Sequence, residues 1–337
     1  MKAVAYNTPG PIDREDALQD ITLETPTAKG RDLLVKIIAV SVNPVDTKLR
    51  LGVAPEESEW KVLGFDASGV VEAVGPEVQN FKAGDAVFYA GSIARPGTNS
   101  EFHLVDERIV GHKPASLSDT EAAALPLTAI TAWEMLFDRL GVKRPTPQGA
   151  NTILVIGGAG GVGSITIQLL RALTDLAVIA TASRPETQDW VRECGAHHVI
   201  DHRQPLAPQV EALGLGAPGF VFSTTQTHQH MADIAELIAP QGRLGLIDDP
   251  EELNVMPLKL KAVSLHWELM FTRSLFGTPD IAEQGKLLNE VAALVEAGRI
   301  RSTATDVAGK IDAKTLRAVH AKIESGSARG KIVLEGF

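Results

Sequence analysis

The chain is 337 residues long, 44% apolar and 22% charged, with a net charge of −10. Such a balance belongs to an ordinary globular protein of two domains, and the negative charge argues against nucleic acid or an anionic membrane as the main partner. A single cysteine, Cys194, excludes an intrachain disulfide and a thiolate zinc cage, and no run approaches the roughly 20 apolar residues of a membrane span. The opening MKAVAYNTPG has no long apolar core of a leader, so a cytoplasmic enzyme is the simplest class.

Residues 1–125 read as β-rich. Lys2–Tyr6 alternates as a first strand. Asp32–Val42 is a stronger one, and Asn43-Pro44 after it is a turn signal. The stretch Gly64–Gly75 is small, apolar and glycine-rich, which predicts a strand closely approached by other backbone. Short strands follow at Phe81–Val87, Glu101–Val105 and Arg108–Val110, and the pattern predicts a partly open barrel. Ser118 with Glu121 three residues later is a capping box, so a helix begins there, and Ile130–Leu140 predicts another.

From Asn151 strands and helices alternate. The strands are Thr152–Ile156, Ala177–Ala182, His198–Asp201, Gly219–Ser223, Arg243–Asp248 and Val263–Glu268, which predicts a doubly wound α/β sheet. Asp280–Gly298 and Thr315–Ser325 read as helices and Lys331–Leu334 as a closing strand. The β-rich head is incomplete alone, so the tail is expected to rejoin it. That divides the chain into a discontinuous domain, 1–126 with 272–337, and an inserted nucleotide-binding domain, 127–271.

The strongest motif lies between the first strand of that insert and the helix after it. Gly158-Ala159-Gly160-Gly161-Val162-Gly163 fits G-x-G-x-x-G. Glycines there turn the chain, let backbone approach a pyrophosphate and let helix pack close on strand. The pyrophosphate would sit on free N–H groups of the helix N-terminus. The motif is informative because it falls between a strand and a helix.

Several motifs in order carry a resemblance: MKAV, NPVDTKLR, LGFDASGVVEAVG, KAGD, LPLTAITAWEML, GGAGGVG and ARGKIVL. Together they resemble the medium-chain dehydrogenase/reductase superfamily, its quinone oxidoreductase branch, and within it the zinc-type alcohol dehydrogenase-like group. The resemblance implies a GroES-like β-rich catalytic domain beside a Rossmann domain. Metal-dependent members carry a cysteine where this chain has Asn43, and a histidine in a Gly-His-Glu triplet where it has Gly64-Phe65-Asp66. Zinc catalysis needs about three protein ligands, so the site reads as metal-free. His197, His198, His228 and His230 read as surface or capping residues.

The second strand of the insert ends Thr181-Ala182-Ser183-Arg184-Pro185, with no acid to hold ribose hydroxyls. Ser183 and Arg184 therefore favour NADP over NAD, since Arg184 can pair with a phosphate as a planar fork. Thr187 stands where the family usually has a lysine, and Arg203 is a lesser candidate. By resemblance Thr131 and Lys331 are cofactor contacts. Strand ends add Ser223, Thr224 and Ile247 to the crevice. Asn43 is the candidate to hydrogen-bond a substrate carbonyl or the nicotinamide ribose, Asp46 to orient Asn43 or Lys48, and Lys48 to stabilise an oxyanion.

The function implied is metal-independent hydride transfer from NADPH to a quinone or activated alkene. The alternatives are a zinc-containing alcohol dehydrogenase and a non-catalytic NADPH-binding protein. Loops 50–61 and 92–100 are expected to shape the acceptor pocket. The apolar edge strand Val263–Glu268 predicts a homodimer, with Trp267 and Phe271 in packing roles.

Overall fold

A computed structural model describes residues 1–55, 59–146 and 148–337. Residues 56–58, part of the loop expected to shape the acceptor pocket, lie outside the described residues. The chain divides into one unit of residues 1–130 with 271–337 and a second of residues 131–270.

The first unit begins with β1 (Lys2–Tyr6), β2 (Gln19–Thr22), β3 (Asp32–Ser41), α1 (Pro44–Gly52), β4 (Lys61–Val62) and β5 (Ala67–Val74). It continues through β6 (Ala86–Tyr89), β7 (Phe102–Asp106), β8 (Val110–His112), α2 (Asp119–Ala123) and the start of α3 (Pro126–Trp133). β3 is its hub. Leu33, Val35, Ile37, Ala39 and Val40 are buried, and the strand pairs antiparallel with β5 and β7. Branched residues favour such a strand because their stiff side chains fit a pleated, packed surface. β1 pairs with β2 and β4 in a separate three-stranded sheet.

The second unit holds β9 (Thr152–Ile156), α4 (Gly161–Leu173), β10 (Ala177–Thr181), α5 (Pro185–Glu193) and β11 (His198–Ile200). α6 (Leu206–Ala212), β12 (Phe220–Ser223), α7 (Thr227–Leu237), β13 (Arg243–Leu246) and β14 (Ser264–Trp267) complete it. Its sheet runs β11-β10-β9-β12-β13-β14, all parallel. The direction of strand order reverses between β9 and β12, where doubly wound folds bind their ligands. Leu154, Ile179, Val221, Ile234 and Leu244 are fully buried in one of its cores.

The chain then returns to the first unit as α8 (Thr272–Phe276), α9 (Glu283–Glu296), β15 (Ala304–Val307), α10 (Ala313–Glu324) and β16 (Lys331–Glu335). β16 pairs antiparallel with β3, Val333 opposite Ser41. This builds the seven-stranded sheet β15-β16-β3-β5-β6-β8, with β7 also on β3.

The mixed fold expected from the sequence is the one observed, with local differences. Asn43-Pro44 opens α1 instead of a turn. Pro44 sits at the first helical position, where its missing N–H costs nothing, and Asp46 accepts the Asn43 N–H at 2.8 Å. Arg108–Val110 is not a continuous strand. Asp106 accepts the Arg108 N–H at 2.9 Å and winds Glu107–Ile109 into a 3-10 turn before β8. α6 was hidden by Pro208, which the first turn of a helix tolerates. The expected helix from Ile130 passes into a π-helical turn over Glu134–Arg139.

Candidate active site

The glycine loop connects β9 to α4. Gly157 has φ +80°, a conformation open to glycine, and its N–H donates to Thr181 Oγ1 at 3.0 Å. A Cβ on Gly163 would lie 2.3 Å from the Gly157 carbonyl oxygen and 2.7 Å from Gly158 carbons. Only hydrogen fits, so α4 packs directly on the loop. Gly160 is the N-cap, and the next three residues, Gly161, Val162 and Gly163, form the first turn. Their N–H groups precede any intrahelical acceptor, the arrangement in which helix N-termini can hold an anion. Ser164 anchors this end: its hydroxyl donates to the Gly160 carbonyl at 2.7 Å and accepts from Trp190 Nε1 at 2.8 Å.

Four polar residues gather at the carboxyl ends of β10 and β11. Ser183 follows β10, and its carbonyl accepts from Arg203 Nη2 at 2.6 Å. Arg203 is paired with the Asp201 carboxylate at 2.7 Å, and this pairing keeps Asp201 below its ordinary range. Arg184 caps α5: its N–H donates to Thr187 Oγ1 at 3.1 Å, and that hydroxyl donates back to the Arg184 carbonyl at 2.8 Å. Its Nε lies 2.9 Å from Glu186 Oε1, both side chains over one-third exposed. Such an exposed pair is weak and leaves the guanidinium able to meet another anion. His202 Nδ1 lies 3.2 Å from Thr181 Oγ1. Burial holds the imidazole below its ordinary pKa; Asp201 pulls it up, while His230, Arg203 and Arg184 push it further down. Sequence reasoning missed His202; its only signal was its place directly after the third strand of the insert.

At the other strand ends, the Thr224 hydroxyl donates to the Ile156 carbonyl at 2.9 Å, closing β12 onto β9. Ser223 Oγ lies 2.8 Å from the Thr227 hydroxyl, which donates to Asp248 at 2.5 Å. Ile247 is half-buried after β13, and Thr131 is buried in α3.

In the first unit a buried polar cluster joins β3, α1, β5 and β16. Asn43 is 1% exposed. Its Nδ2 donates to Asp66 Oδ2 at 2.7 Å, and its Oδ1 accepts from Lys331 Nζ. Lys331, 3% exposed, also donates to Asp66 at 3.0 Å and to the Val42 carbonyl at 3.2 Å. Asp66 further accepts from Ser41 Oγ at 2.8 Å and from the Leu127 N–H at 2.7 Å. Four donors around one carboxylate offset the cost of burying its charge with Lys331. Asp66 went unread because it looked only like the end of a failed metal triplet.

Asp46 is buried too, and it is tied to backbone rather than to a side chain, accepting from Asn43 at 2.8 Å and Gly64 at 2.9 Å. Burial pushes its carboxyl up to about 7, against the pull of those two N–H groups. Asp46 is therefore no solvated surface carboxylate, and its contact with Asn43 is to the backbone N–H rather than to the amide side chain. Lys48 is on the exposed face of α1, outside the buried cluster. Phe65 is 1% exposed and packs edge-on against Phe271 at 5.3 Å. Among the described residues, no three His, Cys, Asp or Glu side chains gather closely enough to hold a metal ion.

The Alcohol dehydrogenase GroES-like domain model matches residues 29–115 and the Zinc-binding dehydrogenase model matches 194–334. A zinc-type alcohol dehydrogenase-like protein of Staphylococcus epidermidis is 37% identical, over 99% of each chain. A protein from Rhizobium etli CFN 42, assigned as a zinc-dependent alcohol dehydrogenase, is 63% identical, with a TM-score of 0.99 over 100% of this chain and 98% of that one. A quinone oxidoreductase of Pseudomonas syringae pv. Tomato is 25% identical, with a TM-score of 0.83 over 99% of each. The chain belongs to the medium-chain dehydrogenase/reductase superfamily, in its quinone oxidoreductase-like branch.

Proposed function

We propose that this chain is a metal-independent oxidoreductase that takes NADPH and reduces a quinone or an activated alkene. The observation that carries the cofactor reading is the joint arrangement in the second unit. A glycine cradle with open helix N–H groups lies on one side of β10's end, and Ser183, Arg184, His202 and Arg203 lie on the other. A pyrophosphate suits the cradle, and a 2′-phosphate suits the basic group.

When bound, the reduced nicotinamide supplies hydride to an electrophilic carbon. The chain's own part is to bind and orient. Gly161, Val162 and Gly163 offer N–H donors, and Thr131, Ser223, Thr224 and Ile247 line the remaining path. Asp66 fixes the Asn43 amide and the Lys331 ammonium in one orientation, so these groups are preorganised rather than free to rearrange. Metal chemistry does not suit this site: Asn43 is a poor zinc ligand already committed to Asp66 and Lys331, and Phe65 has no donor atom. Discontinuous domains at about residues 126 and 272 and a homodimer complete the reading.

Nicotinamide fluorescence titrations of wild type and Arg184→Ala test it. A charge-assisted hydrogen bond contributes about 1.5–3 kcal/mol, or roughly 10- to 150-fold in affinity. NADPH is expected to bind at least ~10-fold tighter than NADH, by the same conversion. Arg184→Ala should weaken NADPH alone. Equal weakening of both cofactors would make Arg184 a loop support, and no preference in the wild type would end the NADP reading. Turnover of NADPH with a quinone panel separates an enzyme from a binding protein.

A further inference from the structure

Thr181, the last residue of β10, stands between the glycine loop and the basic group, and it is 0% exposed. Its carbonyl accepts the Gly158 N–H at 3.1 Å, and its hydroxyl oxygen accepts the Gly157 N–H at 3.0 Å. The same Oγ1 lies 3.2 Å from His202 Nδ1. An amide N–H can only donate, so the proton on the Thr181 hydroxyl must find its own acceptor. Among the described residues, His202 Nδ1 is the acceptor within reach. A buried donor without an acceptor is destabilising, so the hydroxyl donates there. That fixes the tautomer: Nδ1 accepts, Nε2 carries the ring proton, and the imidazole is neutral. A doubly protonated ring would aim an Nδ1–H at the hydroxyl and orphan the Thr181 proton.

We propose, on the NADPH reading above, that Thr181 is a positioning residue of the cofactor site. Its one hydroxyl ties the glycine loop to His202 and sets that imidazole as a neutral Nε2–H donor to the 2′-phosphate, beside Arg184 and Arg203. The surroundings favour the same neutral ring. Burial lowers the His202 pKa first, His230 of α7, Arg203 and Arg184 at the start of α5 lower it further, and Asp201 opposes them. His230 in turn faces Asp233, His228 and Asp248. The two ends of the cofactor are thereby coupled. Gly157 cannot shift without disturbing the hydroxyl that orients His202. Arg184 and Arg203 meet the charge of a phosphate, while His202 meets it with a donor of fixed position.

Nitrogen NMR of histidine-labelled protein reads the chain of hydrogen bonds without any cofactor, with His202→Asn identifying the His202 signals. Near neutral pH the wild type should show Nδ1 bare and Nε2 protonated. A proton on Nδ1 would overturn the assignment, and this spectrum does not depend on a Thr181 variant folding. Thr181→Val keeps the volume and removes the hydroxyl, so the ring should lose its fixed tautomer. Thr181→Ser returns the hydroxyl and should restore it. A tautomer unchanged in Thr181→Val would also overturn the link. Fluorescence titrations give the functional reading. Thr181→Val should weaken NADPH and NADH together, by roughly 10-fold, because both carry the pyrophosphate and the Gly157 donor is left unsatisfied. His202→Asn keeps an acceptor for Thr181 but loses the Nε2–H, so it should weaken NADPH alone, again by roughly 10-fold. Unchanged NADPH affinity in His202→Asn would remove His202 from the phosphate. A wild type without NADPH preference would fail the cofactor reading by itself, and the tautomer would still decide the Thr181 link.

Discussion

At the scale of single residues, the glycines of the loop have separable jobs. Gly163 has no room for a methyl group, because Gly157 and Gly158 backbone atoms stand within 2.7 Å of where it would go. Gly160 has room: its φ is −72°, and the nearest atom to an added Cβ is the Gly157 carbonyl at 3.6 Å. Gly163→Ala should destabilise the protein by about 1–3 kcal/mol, as overpacking does, and abolish cofactor binding. Gly160→Ala should fold with nearly unchanged stability, yet bind NADPH weakly, since the methyl would stand where backbone must approach a pyrophosphate. Thermal melts beside cofactor titrations distinguish the two. A Gly160→Ala protein that binds normally would move the pyrophosphate away from this loop.

At the scale of elements, β14 is the informative one. It closes the six-stranded sheet on one side, paired only to β13 within that sheet. Its outer face carries Trp267, 53% exposed, with Leu269 following at 51%. An exposed apolar edge offers unpaired backbone groups as a template for another strand. Light scattering at micromolar concentration should therefore give twice the chain mass. Trp267→Lys, at the exposed end of the strand, should shift the mass toward the monomer while leaving cofactor affinity within about twofold, because charged edge residues discourage pairing. A wild-type monomer would count against the pairing.

At the scale of the whole molecule, the relatives' names speak of zinc while this chain's own residues argue otherwise. A thiolate zinc cage needs cysteines that a chain with Cys194 alone does not have, and Asn43 and Phe65 stand where metal-dependent members are expected to carry ligands. Elemental analysis of desalted protein should find no stoichiometric zinc. One zinc per chain, lost together with activity on chelation, would reverse the reading. Among the described residues no helix is long and apolar enough to cross a membrane.

The strands, the glycine loop, the capping box at Ser118 and the family were legible in the sequence, because each is local. Periodicity, glycine spacing and caps act within a few residues, and the motifs keep their order. The buried polar cluster was not legible. Asn43, Asp66 and Lys331 are separated by up to 288 residues, and only the pairing of β16 with β3 brings them within hydrogen-bonding distance. His202 and Arg203 join Ser183 because β11 lies parallel beside β10, and Arg139 meets Glu268 although 129 residues separate them. A charged side chain in a sequence shows nothing of its burial. Burial is set by whichever distant strand covers it, and it decides whether that side chain is a solvated surface group, a fixed counter-ion or the holder of a proton.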